Sequence, residues 1–203
     1  MGGERVGLRE LSRRAVREEI TEAATALFVE RGFEATTVDD IATAVGMSQR
    51  SVFRYFATKE EIVLGHFALV VDDMPAVLRA RPAGEPVWTS LRRVFDVLVA
   101  RSEAPEHRQR MAPVHRMVFG TPALLAGYLQ KLQQTQDAVV AALRERAASA
   151  GAPYAPDDPA PRALAAAAFG CLVAAQHSWI ASGGKGSLAG ALDRAMATVG
   201  PRT

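Results

Sequence analysis

Apolar residues return every three or four positions along most of this chain and nowhere alternate strictly with polar ones, which predicts helices and no strand. Ile20, Ala23, Ala24, Leu27 and Phe28 form one such stripe and place an amphipathic helix over 14–31. Gly32 follows as its left-handed stop. Thr37 stands three residues before Asp40, the spacing of a capping box, and opens a short helix with Val38, Ile41, Ala42 and Val45 inward. Gly46 marks a sharp turn, and Ser48 is a good N-cap for a third short helix through Tyr55. Thr58 and Glu61 repeat the capping spacing and start a helix to about Asp72, which Pro75 should kink or end.

Further on, Pro82, Gly84 and Pro86 break the pattern before a helix over 87–102. Pro105 opens another, ending near Gly120, and Thr121-Pro122 begins a long one that stops near Gly151. An alanine-rich helix then runs to the glycines at 183, 184 and 186, and Ser187 caps a last helix. The reading is an all-α protein of about nine helices without internal repeats.

The chain has 203 residues, 49% of them hydrophobic and 23% charged, which suits a folded protein with a buried core. Gly170 interrupts the alanine run 163–175, so no apolar run reaches the roughly 18–20 residues that span a bilayer. The first residues carry no apolar secretory core, and Cys171 is alone. The expectation is a soluble, cytoplasmic protein with no membrane partner. A net charge of +2 says little about nucleic acid, but its distribution says more. Residues 5–17 hold Arg5, Arg9, Arg13, Arg14 and Arg17 against Glu10 alone, and 48–59 hold Arg50, Arg54 and Lys59 with no acid. Charge alone leaves a solvated face and a nucleic-acid face equally open.

Residues 36–59 decide between them. Two short helices joined by a tight glycine turn make a helix-turn-helix, whose second helix enters the DNA major groove. Val52 and Phe56, four apart, face inward together, which leaves Gln49, Arg50, Phe53 and Arg54 on the exposed face. Arginine and glutamine suit base edges and phosphates, and an aromatic suits a thymine methyl. The competing reading is a helical hairpin whose charges merely solvate it; the acid-free second helix weighs against it. Little supports an enzyme. His66, His107, His115 and His177 lack metal-ligand spacing, and Cys171 reads as a small buried hydrophobe. Gly183–Ser187 resembles part of a phosphate loop but follows no strand. No catalytic residue, metal or cofactor is expected.

Together these residues resemble the TetR family of transcriptional regulators. The likeness is carried by Leu27-Phe28, Gly32-Phe33, Thr36-Thr37, Ile41-Ala42, Gly46-Met47-Ser48, Val52-Phe53-Arg54-Tyr55-Phe56 and Lys59-Glu60-Glu61-Ile62. It implies a three-helix DNA-binding domain over 1–58 with a basic N-terminal arm, and a ligand-binding and dimerisation domain over 59–203. It also implies phosphate clamps at Thr37 and Lys59, a place near the DNA backbone for Ser48, and a phosphate contact from the Tyr55 hydroxyl. Phe53 stands where the family usually has tyrosine, so a hydrogen bond is lost and an apolar contact remains. Arg50 replaces a commonly small residue, and base preference therefore does not carry over. The arm 5–14 reads either as a disordered segment reaching a minor groove or phosphates, or as a tail without a role.

The family's last two long helices usually form a four-helix bundle across a two-fold axis, and the small residues Ala165–Ala168, Gly170, Ala174 and Ala175 permit such an approach. Residues 121–146, with Trp179, resemble a subgroup linked to the mycofactocin repressor and associated with fatty-acyl-CoA effectors. Candidate pocket residues are Phe67, Phe95, Met111, His115, Met117, Phe119, Tyr128, Phe169 and Trp179, each with plain core packing as the competing reading. The function expected is a homodimeric repressor on a palindromic double-stranded DNA operator, released by a small hydrophobic effector such as an acyl-CoA. The alternative is a helical acyl-binding protein without specific DNA recognition.

Overall fold

Strong helix formers dominate this sequence, and the computed structural model is helical accordingly. It describes residues 3–200, including all their side chains except those of 3–6, 66, 68–70, 103, 105, 107 and 110. Arg5, His66, His107 and Arg110 thus have side chains outside the described residues. Among the described residues there are eleven helices and no strand. They are α1 (Gly3–Arg31), α2 (Val38–Ala44), α3 (Gln49–Phe53), α4 (Lys59–Val71), α5 (Met74–Arg79) and α6 (Val87–Val94). Then come α7 (Asp96–Glu103), α8 (Pro105–Gly120), α9 (Pro122–Ser149), α10 (Ala160–Ala181) and α11 (Leu188–Val199).

The all-α class is as expected, and the described residues hold eleven helices where about nine were expected, because one short helix is added and one expected helix is divided. Helix α4 stops at Val71, beside the expected Asp72, and Pro75 sits in the first turn of a separate helix, α5, where a missing N–H costs nothing. The helix expected over 87–102 divides at Phe95, whose amide bonds the Arg92 carbonyl at 3.2 Å, one residue short of α-helical register. Phe95 is fully buried, with its ring edge-on to Phe169 at 5.3 Å. A third correction concerns the N-terminus. The arm is not irregular: α1 begins at Gly3, in a stretch rich in Arg, Glu and Leu, and is supported by an Arg14–Glu18 pair one turn apart at 3.5 Å.

The chain forms two compact units, and the first is discontinuous: Met1–Leu69 together with Pro113–Tyr128. The second comprises Val70–Ala112 and Leu129–Thr203. Both α8 and α9 contribute to each unit, and the division in α8 falls at its internal proline, Pro113.

In the first unit, Ile20, Ala24 and Phe28 of α1 are buried with Ile41 and Ala42 of α2, Val52 of α3, and Ile62, Val63 and Phe67 of α4. Val38 and Val45, expected inward, are only half-buried. At Gly65, α4 passes close to Thr21 of α1. A Cβ there would lie 2.6 Å from Thr21 Oγ1 and 3.0 Å from a ring carbon of Phe56, so only glycine permits it. Gly65→Ala is expected to lower unfolding stability by about 1–3 kcal/mol, because the rotamer-stiff threonine cannot move aside. A urea midpoint unchanged from that of the parent protein would contradict this close approach.

In the second unit, α10 packs on α11 and α6. The exclusion of a spanning segment needs correcting here, because Gly170 does not interrupt α10. This helix is long and apolar enough to cross a membrane by length and composition, and 44% of its most apolar window is buried inside the protein. The link between α5 and α6 is latched to α9. Arg146 donates to the carbonyls of Arg81 at 2.7 Å and Glu85 at 3.2 Å, and also to that of Pro82. The Glu85 carboxylate accepts from Arg81 at 2.5 Å and 2.8 Å and from the Ser90 hydroxyl at 2.7 Å. These hydrogen bonds, with the Arg81 and Arg146 charges, hold its pKa down to about 2. A carboxyl depressed on folding stabilises the native state above its unfolded pKa, and that contribution fades as pH falls towards the folded value. Glu85→Gln should therefore cost stability near neutral pH. Its deficit should shrink as the pH of a urea titration drops from about 6 to about 3; a deficit constant with pH would deny the carboxylate this role.

Candidate nucleic-acid interface

The helix-turn-helix is built by short-range chemistry. The Thr37 hydroxyl accepts from the Asp40 amide at 3.1 Å, and the Asp40 carboxylate accepts from the Thr37 amide at 2.8 Å, which is a complete capping box. Beyond α2, Gly46 takes φ +65°, and the Met47 amide reaches back to the Ala42 carbonyl at 2.9 Å, closing the helix end as a Schellman turn does. Ser48 caps α3, its hydroxyl accepting from the Ser51 amide at 3.2 Å. Helix α3 ends at Phe53, with Arg54 as its C-cap, two residues before the expected Tyr55.

Val52 and Phe56 are buried, whereas Gln49, Arg50, Phe53 and Arg54 are all exposed, Phe53 at 46%. An apolar ring held in water among Gln49, Arg50 and Arg54 suits a partner that combines phosphates with methyl groups. Tyr55 is half-buried beside them.

Two residues assigned to phosphate by resemblance are engaged within the protein. The Lys59 ammonium donates to the carbonyls of Phe33 at 2.8 Å and Thr36 at 3.2 Å, and lies 4.2 Å from the Phe33 ring centre. It fastens the start of α4 to the link between α1 and α2. The Thr37 hydroxyl donates to Asp40 at 2.6 Å, and these contacts, with Arg31 nearby, hold the Asp40 carboxyl below its usual range. A persistent negative charge therefore sits at the start of α2. On this geometry Lys59→Met should weaken DNA binding and lower stability by about 1.5–3 kcal/mol while leaving the salt dependence of binding unchanged. A direct phosphate contact would instead show as a salt slope smaller by about 1.

A positioning residue escaped the sequence reading. Arg17 donates to the Tyr55 carbonyl at 2.5 Å and stacks 4.2 Å from the Phe56 ring centre, tying the exit of α3 to α1. The partners are 38 residues apart, and no local pattern announces the pair. An open groove also went unforeseen: Trp88, Arg92 and Arg93 of α6 face Asp193 and Met196 of α11 across it. Arg92 bonds both Asp96, at 2.7 Å, and Asp193.

The pocket candidates divide between the two units. In the first, Phe67 lies edge-on to His115 and to Tyr128, each at 5.2 Å, and Phe119 lies 5.5 Å from Tyr128. Met117 there is half-buried. In the second, Phe95 packs on Phe169 and Met111 is buried. Trp179 closes the end of α10, donating to the Gly186 carbonyl at 3.3 Å.

Comparison with known proteins adds the following. A family model described as bacterial regulatory proteins of the tetR family matches residues 20–65, and one described as the MftR C-terminal domain matches 85–203. The HTH-type transcriptional regulator TcmR of Streptomyces glaucescens is 34% identical over 134 residues, covering 64% of this chain and 59% of TcmR. The HTH-type transcriptional repressor KstR2 of Mycobacterium tuberculosis is 35% identical over 100 residues, 49% of each chain. The chain thus spans between about half and three fifths of the length of these relatives. FadR of Thermus thermophilus, a TetR-family repressor solved with lauroyl-CoA, superposes with TM-score 0.59 at 21% identity, covering 90% of this chain and 92% of FadR. At that identity the likeness is one of fold.

Proposed function

This chain belongs to the TetR family of transcriptional regulators, with a C-terminal domain of the MftR type, and from that premise we propose that it is a ligand-released repressor. Two copies bind a palindromic operator, each placing α3 in a major groove. Residues 1–58 recognise DNA, and 59–203 dimerise and bind the effector. The observation that carries this reading is the exposed, acid-free face of Gln49, Arg50, Phe53 and Arg54, presented by a capped and internally tied frame. Arg50 and Arg54 read base edges or phosphates, Phe53 meets thymine methyls, and Ser48 and Tyr55 lie along the backbone. Thr37 and Lys59 act by holding the frame.

Dimerisation is supported by α10, where Ala163, Ala166, Gly170 and Ala174 are all exposed at the three- and four-residue spacing of one helix face. Side chains this small let a second helix approach closely. The effector is a small hydrophobic molecule, for which Phe67, His115, Phe119 and Tyr128 of the first unit are the candidate contacts. An acyl-CoA is the specific proposal, supported by the fatty-acyl ligand of the FadR neighbour.

The test is selection of binding sites from random duplex DNA by the purified full-length protein, followed by titration of the selected duplex with and without lauroyl-CoA. A palindromic consensus, with affinity that falls steeply with salt and drops when the thioester is added, is the expected result. Equal affinity for selected and random duplexes would remove the repressor reading. An effector that binds without changing DNA affinity would remove the release mechanism alone.

A further inference from the structure

Helix α1 is longer than its packing requires. Val16 and Arg17 are the first of its described side chains with any substantial cover; every one from Gly7 to Ala15 is exposed, including Leu8 and Leu11 at 66% each. The two turns before Arg14 therefore project from the three-helix frame as a free-standing rod. Its departure point is fixed, because Arg17 is bound to the Tyr55 carbonyl just beyond α3. Arg13 and Arg9 stand four and eight residues before Arg17, on the same helix stripe, about 6 and 12 Å further along the axis. That stripe continues the face carrying Ile20, Ala24 and Phe28, which packs on the rest of the frame. The arginines of the rod thus share the side from which Arg17 reaches the Tyr55 carbonyl, whereas Leu8 and Leu11 occupy the opposite side.

We infer that this helical extension is a second DNA-binding element, with Arg9 and Arg13 contacting the phosphate backbone of duplex flanking the sequence read by α3. The inference rests on the DNA-binding reading proposed above. Two observations favour DNA over other occupants: Arg9 and Arg13 lead to the proposed interface through Arg17, with Glu10 as the single acid among residues 5–17, and both arginines are exposed. Helicity matters too, since a rod prepays the ordering entropy that a disordered arm loses on binding. The element adds affinity and footprint without adding sequence preference, because phosphate contacts position and base contacts specify.

The test compares the full-length protein with Arg9→Ala/Arg13→Ala on two duplexes: the selected operator with about ten base pairs of arbitrary flank on each side, and the same operator trimmed flush. On the flanked duplex the double variant should lose at least about tenfold in affinity, and its salt slope should fall by about 3–4 for a dimer, near 0.9 per phosphate lost. On the trimmed duplex both differences should vanish, and hydroxyl-radical protection of the flank should be present in the parent and absent in the variant. Equal losses on both duplexes, or no loss on either, would overturn the inference, as would a change in dimer dissociation without a change in flank protection. Melting curves that superpose for the two proteins keep the comparison free of a folding defect. Failure of the underlying reading is distinct: the parent protein itself would then select no operator.

Discussion

Phe56→Ala should destabilise the first unit by about 3–5 kcal/mol and abolish sequence-specific DNA binding at ordinary temperature. The ring is 1% exposed and sits where three elements meet. It follows α3 directly, carries the Arg17 guanidinium on one face, and lies against the bare backbone of Gly65 in α4. Truncation leaves a cavity that close-packed helices cannot collapse, and it removes the surface on which Arg17 is oriented. Two losses then arise together: transfer and cavity energy in the core, and the tie that holds the end of α3. Guanidinium unfolding followed by tryptophan-independent circular dichroism measures the first, and titration of the selected duplex measures the second. A variant with a parental midpoint would show that this junction is not the keystone of the unit.

The Arg50→Ala/Arg54→Ala double variant carries the largest expected effect on recognition. A bidentate contact from arginine to guanine discriminates by about 1–3 kcal/mol, and each substitution acts in both half-sites of a dimer. The sum approaches the whole gap of about 4–10 kcal/mol between specific and non-specific binding. The double variant should therefore bind selected and random duplexes almost alike, with its melting behaviour intact because both side chains are exposed. Retained preference for the selected duplex, with only a smaller salt slope, would reassign both arginines to phosphates.

The parts of this molecule that were legible in its sequence are those decided within a few residues. Gly46 with its positive φ, the caps at Thr37 and Ser48, and the inward pair Val52 and Phe56 are all written in spacings of three and four. The exposure of Gln49, Arg50, Phe53 and Arg54 follows from the same arithmetic. What stayed hidden depends on partners distant in sequence. The commitment of Lys59 to the Phe33 and Thr36 carbonyls leaves no local trace, and neither does the grip of Arg17 on Tyr55. The break at Phe95 is likewise tertiary: propensity favours one continuous helix there, and the buried ring against Phe169 accompanies two. The extension of α1 is a different case. Its residues favour helix, but charge repulsion among arginines reads as disorder until the Arg14–Glu18 pair and the anchored Arg17 are seen.

The discontinuity of the first unit bears on how the protein is made. Leu64 and Phe67 are buried partly by residues near the start of α9: a Cβ on Gly127 would lie 2.8 Å from Leu64, and the Tyr128 ring lies 5.2 Å from that of Phe67. On the ribosome, the helix-turn-helix and α4 emerge roughly sixty residues before those covers, a wait of about 3–12 s at translation speeds of 5–20 residues per second. Throughout that interval α4 shows an apolar flank to the cytosol of whatever host expresses it, a natural foothold for a holdase chaperone. The same arithmetic governs chimaeras: a DNA-binding module cut after Val71 and grafted onto a foreign effector domain leaves that flank bare, unless the graft also carries Pro113–Tyr128.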